Sequence, residues 1–105
     1  MTGRTINPHY SNKSFLVEIP NSGSTSTDLP GRRFAIVDPT QEPKNGWYVL
    51  VRLAPDEAPT VRILNIDGGE MHFQPLNPEY SIATPPSPEI LGHVVEIQTF
   101  DKEPE

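Results

Sequence analysis

The sequence contains no cysteine. That excludes disulfides, thiolate nucleophiles and sulfur-ligated metals, and it leaves the redox compartment open. It also lacks any basic run: Arg32-Arg33 is the only adjacent basic pair, and the 105 residues carry a formal net charge of −6. A surface this acidic repels phosphate backbones, so direct nucleic-acid contact is not expected of this segment. No apolar run approaches the roughly 18–20 residues of a membrane span. Residues 1–13 lack the apolar centre of a signal peptide. A soluble, cytoplasmic protein is the resulting expectation. Only 34% of residues are hydrophobic while 13 are proline, which disfavours long helices and favours short strands joined by turns. At this length one domain is the default, with a single core of modest burial, and that favours an oligomer.

Short β-rich runs are what the sequence does contain. Residues 47–53 and 60–66 are β-branched and aromatic runs of strand length. Asp67-Gly68-Gly69 turns the chain, because Asp and Gly tolerate the positive φ of short hairpin loops, and residues 70–74 return as a further strand. Upstream, Phe15, Val17 and Ile19 alternate with Ser14, Leu16 and Glu18, as in a half-buried strand that Pro20 ends. Residues 21–28 are small and polar and predict a loop; residues 32–37 predict the next strand. The last strand spans residues 89–100, with a bulge or close backbone approach expected at Gly92. Residues 1–13 read as a linker or arm, residues 101–105 as an acidic tail, and residues 14–105 as the domain. About six short strands and no helix predict a mainly β fold, a small and partly open barrel.

Little in this pattern carries chemistry. His9, His72 and His93 lack ligand spacing, so no metal or other cofactor is expected, and His72, between Met71 and Phe73, reads as an outward-facing strand position. Asp56, Glu57, Asp67 and Glu70 fall on turns and serve turn formation and solubility. Gly68-Gly69 does not precede a helix and is no phosphate loop. Ser22, Ser24 and Ser26 lie in a polar loop with no G-x-S-x-G elbow and no evident triad. A serine–lysine dyad is the remaining hydrolase option.

Several segments, taken in order, bear on that option. They are residues 15–19; Leu29-Pro30-Gly31 with residues 34–39; Asn45-Gly46 leading into residues 48–53; residues 60–64; Asp67-Gly68-Gly69; Leu76-Asn77-Pro78-Glu79-Tyr80; and Ile90-Leu91-Gly92 with Val94-Val95. Together they resemble the C-terminal domains of the LexA-like S24 self-cleaving peptidases, shared by LexA and the lambda-type phage repressors. The resemblance covers roughly four-fifths of the chain, residues 15–100. Its most specific part is the Leu-Asn-Pro-x-Tyr turn after a Gly-Gly hairpin.

The resemblance implies a serine nucleophile in a Gly-Asp-Ser-Met motif ahead of a turn glycine. Counting back from Gly31, that position is Gly23, within Asn21-Ser22-Gly23-Ser24; a slip of one residue brings in Ser22 or Ser24. It implies a lysine general base in a Thr-Val-Lys-like strand, where this chain has Arg62 between Thr60-Val61 and Ile63-Leu64. Arginine stays protonated, with a pKa above about 12, and cannot accept the serine proton. Lys44 is a turn residue, Lys13 and Lys102 lie near the termini, and the Ala-Gly or Cys-Gly bond that the family cleaves does not occur. The expectation is a peptidase site that has decayed, with Gly23 and Arg62 as its degenerate positions. The alternative is an active self-cleaving domain using Ser22 or Ser24.

The resemblance further implies a C-terminal domain that dimerises, assembles further and supports cooperative operator binding by a separate N-terminal helix-turn-helix domain in a bacterial host cell. Without self-cleavage, induction would fall to a partner such as an antirepressor protein. For the dimer contact the sequence offers the closing strand, with Val94, Glu96, Ile97, Gln98 and Phe100 as candidates. The competing expectation is that Val94, Ile97 and Phe100 fill the domain's own core.

Overall fold

A computed structural model describes residues 12–27 and 31–100. The first eleven residues of the expected arm, the Leu29-Pro30 part of the expected turn and the acidic tail lie outside the described residues. Six strands form: β1 (Phe15–Ile19), β2 (Arg32–Asp38), β3 (Tyr48–Arg52), β4 (Thr60–Asp67), β5 (Glu70–Gln74) and β6 (Glu89–Phe100). All pairings are antiparallel, in one sheet of order β1-β2-β6-β3-β4-β5. The mainly β expectation holds, realised as one open sheet.

Alternation along the strands sorts the apolar residues onto two faces. Leu50 lies opposite Val61, and both join Ile19, Ala35, Val37 and Val94 in one buried cluster. Their strand neighbours Val49 and Val51 point the other way, where they pack with Leu64 and Phe73. Phe73 is fully buried. Removing a core phenylalanine ring typically costs ~3–5 kcal/mol, so this second cluster is a substantial share of a small domain's stability.

The turns follow their chemistry. Asp67 pairs with Glu70 across the two-residue Gly68-Gly69 loop. Asn45-Gly46 continues the β3–β4 pairing: the Gly46 amide donates to the Leu64 carbonyl (2.7 Å), and the Asn45 side chain accepts from the Ile66 amide (2.7 Å). A short 3-10 turn, Gly23–Thr25, interrupts the segment expected to be plain loop, and its Thr25 is buried.

β6 carries both irregularities expected near Gly92. The register shifts at Leu50/Val51, so that Gly92 and Ile90 find partners and Leu91 is the extra residue. A second shift at Ile36/Val37 leaves Val95 extra. A Cβ built on Gly92 would stand 2.5 Å from Val37 Cγ1 and 3.0 Å from the Asp38 carbonyl oxygen. Only a residue without a side chain lets β2 approach this closely.

The structure revises the picture of β6 as a terminal edge. It lies inside the sheet, between β2 and β3. Val94 is buried in the first cluster and Ile97 packs against it, so these two fill the domain's own core. Phe100 is half-exposed and meets Phe34 edge to face at 5.6 Å. Glu96 and Gln98 lie opposite Ile36 and Phe34, on the same side as Phe100.

Candidate functional site

The Gly23–Thr25 turn packs against β4, the strand that carries Arg62, although the Arg62 side chain lies opposite Val49 on the face of the second cluster. The turn is held from several directions. The Thr25 hydroxyl donates to the carbonyls of Ser22 (2.9 Å) and Pro20. Arg33, buried on β2, donates through Nη2 to the Thr25 carbonyl and to the Pro20 carbonyl (3.4 Å). From the far side, the Asn77 amide donates to the Ser24 carbonyl (2.8 Å), and Asn77 Nδ2 donates to Ser26 Oγ (2.7 Å). Asn77 Oδ1 accepts in turn from the Glu79 amide (3.0 Å), which shapes the Leu-Asn-Pro-x-Tyr turn.

Gly23 sits at φ +58°, a left-handed conformation that a serine would adopt only under strain. Ser22, before it, is extended and exposed; Ser24, after it, is half-buried. Among the described residues no basic side chain hydrogen-bonds either hydroxyl. Lys44 lies over the Trp47 ring at 5.6 Å. His72 is half-buried on β5 rather than fully outward-facing, and its ring contacts Thr84 Oγ1 (3.2 Å) and Glu70 Oε1 (3.5 Å). His93 stacks on Trp47.

Arg62 is buried and clamps the chain that follows β5. Its Nη1 donates to the carbonyls of Phe73 (3.1 Å) and Ser81 (3.1 Å), fastening the connection to β6 over the second cluster. Burial lowers its pKa from the ordinary arginine value, and the charge of Glu57 opposes that shift. Two carbonyl acceptors favour the charged form, and a guanidinium at neutral pH donates and does not accept. Beside the turn lies an open hollow of about 480 Å³, lined by Ser26, Thr27, Leu76, Asn77, Pro78 and Glu79.

A family model described as Peptidase S24-like matches residues 5–95. The chain belongs to the Peptidase S24-like family. Repressor protein C2 of Salmonella phage P22 is 32% identical over 73 residues, a match covering 67% of this chain and 34% of the phage protein. The chain therefore spans about a third of the length of the curated relative it matches. Within this S24-like domain, the roles of Asn77, Thr25 and Arg33 escape sequence reading. The Asn-Pro pair marks a turn, but nothing local says that its amide and side chain fasten a segment far upstream. Buried Thr25 and Arg33 stand in segments whose composition reads as loop and as ordinary strand.

Proposed function

We propose that this domain is the C-terminal self-association domain of a phage-type transcriptional repressor and that its peptidase site no longer cleaves. Operator DNA is left to a separate N-terminal helix-turn-helix domain. Pairing the C-terminal domains raises the effective concentration of the second DNA-binding module, which gives cooperative operator occupancy without new DNA contacts. The net charge of −6 supports a domain that holds copies together and leaves phosphate contacts elsewhere. The absence of cleavage is supported by Arg62, a bound donor where the family needs a proton acceptor. Release from the operator would then fall to a partner such as an antirepressor protein, in the cytoplasm of a bacterial host.

The observation that carries the self-association reading is the reach of β6 beyond β3. β3 pairs with it only from Glu89 to His93. Among the described residues no strand pairs that side of residues 94–100, although β2 continues along the other side. An unpaired stretch of strand is a template for another chain. A two-fold antiparallel pairing centred on Ile97 sets Glu96 of each copy opposite Gln98 of the other, so no like charges face across the contact. It also brings the half-exposed Phe100 rings into the joint surface.

Sedimentation across concentration tests this in the parent protein with Phe100→Asp, since Ile97 belongs to the core and charging it would unfold the domain. The expected result is a folded variant of reduced mass. A folded variant that associates as before rules out the β6 edge, and a strictly monomeric wild type rules out self-association. Incubation of the intact parent at alkaline pH tests the other half of the reading: no fragments are expected, and fragments would establish an active serine–lysine site using Ser22 or Ser24.

A further inference from the structure

His93 occupies the rung at which β6 parts from β3. It lies opposite Val49 on β3 and opposite Asp38 on β2. Its imidazole stacks on the indole of Trp47, with centroids 3.6 Å apart and planes inclined by 17°. The Nδ1 atom is buried and has no hydrogen-bond partner. This contact closes the last rung, because the β3–β6 ladder ends at Val49 and His93 and Trp47 immediately precedes β3.

We propose that the Trp47–His93 stack is an acid-operated latch on the β3–β6 junction: neutral His93 keeps it closed, and a proton on His93 opens it. The neutral ring can keep its buried Nδ1 as a lone pair, which costs less than an unpaired N–H on a charged ring. Protonation turns that atom into a donor buried without an acceptor, a loss of about 1–3 kcal/mol in typical cases.

The surrounding charges do not rescue the imidazolium. From β2 it faces Asp38, whose Oδ1 already accepts from the Thr40 amide (2.9 Å) and hydroxyl (2.7 Å), and whose Oδ2 accepts from Gln41 Nε2 (3.0 Å). From the segment before β3, the Lys44 ammonium already lies over the Trp47 ring, so the usual gain from placing a cation on an indole is contested. From β4, buried Arg62 stands next along the same row, opposite Val49, and offers no acceptor. β6 itself contributes Glu89 and Glu96, both exposed to solvent. Burial lowers the pKa of His93, and Asp38 offsets this in part.

The molecule supplies its own probe, since Trp47 is its sole tryptophan. An imidazolium quenches indole emission more strongly than a neutral imidazole does. In the full chain, emission should fall on acidification along a one-proton curve, with a midpoint below the ordinary histidine value of about 6.5. That curve should superimpose on the NMR titration of the His93 ring. His93→Phe keeps an aromatic ring against the indole and removes the titrating nitrogen, so it should abolish the step. If His93→Phe does not fold, His93→Gln makes the same comparison. Amide protection at Val49 and His93 should fall on the acid side of the midpoint. A step that persists in the variant, a His93 ring titrating at or above the ordinary value, or protection unchanged across the midpoint would each overturn the latch. None of these readouts depends on whether the domain self-associates.

Discussion

The main-chain amide of Asn77 donates to the carbonyl of Ser24 at 2.8 Å, tying the turn after β5 to the turn after β1. Through this bond the Leu-Asn-Pro-x-Tyr sequence holds the segment where the family places its nucleophile. The Asn77 side chain adds bonds to Ser26 Oγ and from the Glu79 amide. Asn77→Ala removes these two, together with the longer Nδ2 bond to the Gly23 carbonyl (3.5 Å), and keeps the main-chain bond. The expected loss is about 1–2 kcal/mol, read as a lower urea midpoint at unchanged slope.

Gly92→Ala is expected to cost more than its single methyl suggests. The new Cβ would meet Val37 Cγ1 at 2.5 Å and the Asp38 carbonyl oxygen at 3.0 Å. The side chain can rotate, but the backbone of β2 cannot move without disturbing its ladder with β6. A destabilisation of about 1–3 kcal/mol follows from this overpacking, measurable by thermal unfolding. An unchanged midpoint would mean that β2 yields freely.

Arg62 separates structural from catalytic consequences. Arg62→Met takes a donor from the Ser81 carbonyl and from the Phe73 carbonyl, which keeps the Ala83 amide (2.9 Å), and should cost about 1.5–3 kcal/mol for the charge-assisted bonds lost. Arg62→Lys restores the side chain type that the family uses as base, yet it should yield no fragments at alkaline pH. The position expected for the nucleophile is Gly23, held at φ +58°, and among the described residues neither neighbouring hydroxyl is bonded to a basic side chain. Electrophoresis of the incubated parent reads this directly, and cleavage in Arg62→Lys would show that Ser22 or Ser24 can serve.

Asp38 gives the domain a second acid-sensitive component, one that also feels the charge of His93. The Thr40 hydroxyl and amide, with Gln41, hold its pKa below the usual aspartate range, against the opposing effect of burial. A carboxyl depressed in the folded state contributes stability above its unfolded pKa of about 3.9, and that contribution disappears as pH falls through the lower folded pKa. Wild type should therefore exceed Asp38→Asn in urea midpoint at pH 6, and the gap should close as the pH approaches 2. A gap independent of pH would assign the effect to packing.

Local pattern carried the strands. The β-branched runs, Pro20 and Gly68-Gly69 place all six with ends within a residue or so, because strand propensity and turn chemistry act over neighbouring residues. The register did not follow from pattern. That β6 is interior, that Val94 and Ile97 face the first cluster, and that Arg62 reaches past β5 to Ser81 are set by contacts between distant segments. The position of Arg62 was legible through its Thr60-Val61 frame, but its two carbonyl partners were not. Thr25 misled for a related reason: a small polar residue is buried here because a guanidinium from β2 and the carbonyls of its own loop satisfy it.

The strand order has a consequence for synthesis. β1 and β2 form one ladder and β3, β4 and β5 another; within the sheet of the described residues only β6 pairs with both. On the ribosome the nascent domain therefore waits as two unjoined flaps, each exposing the edge that β6 will cover. Closure of the sheet waits for β6 to emerge, and such distant closure is slow. A nonsense codon or protease cut shortly before residue 89 would leave two ladders with no shared sheet, so the dozen residues of β6 act as the commitment step for the whole domain.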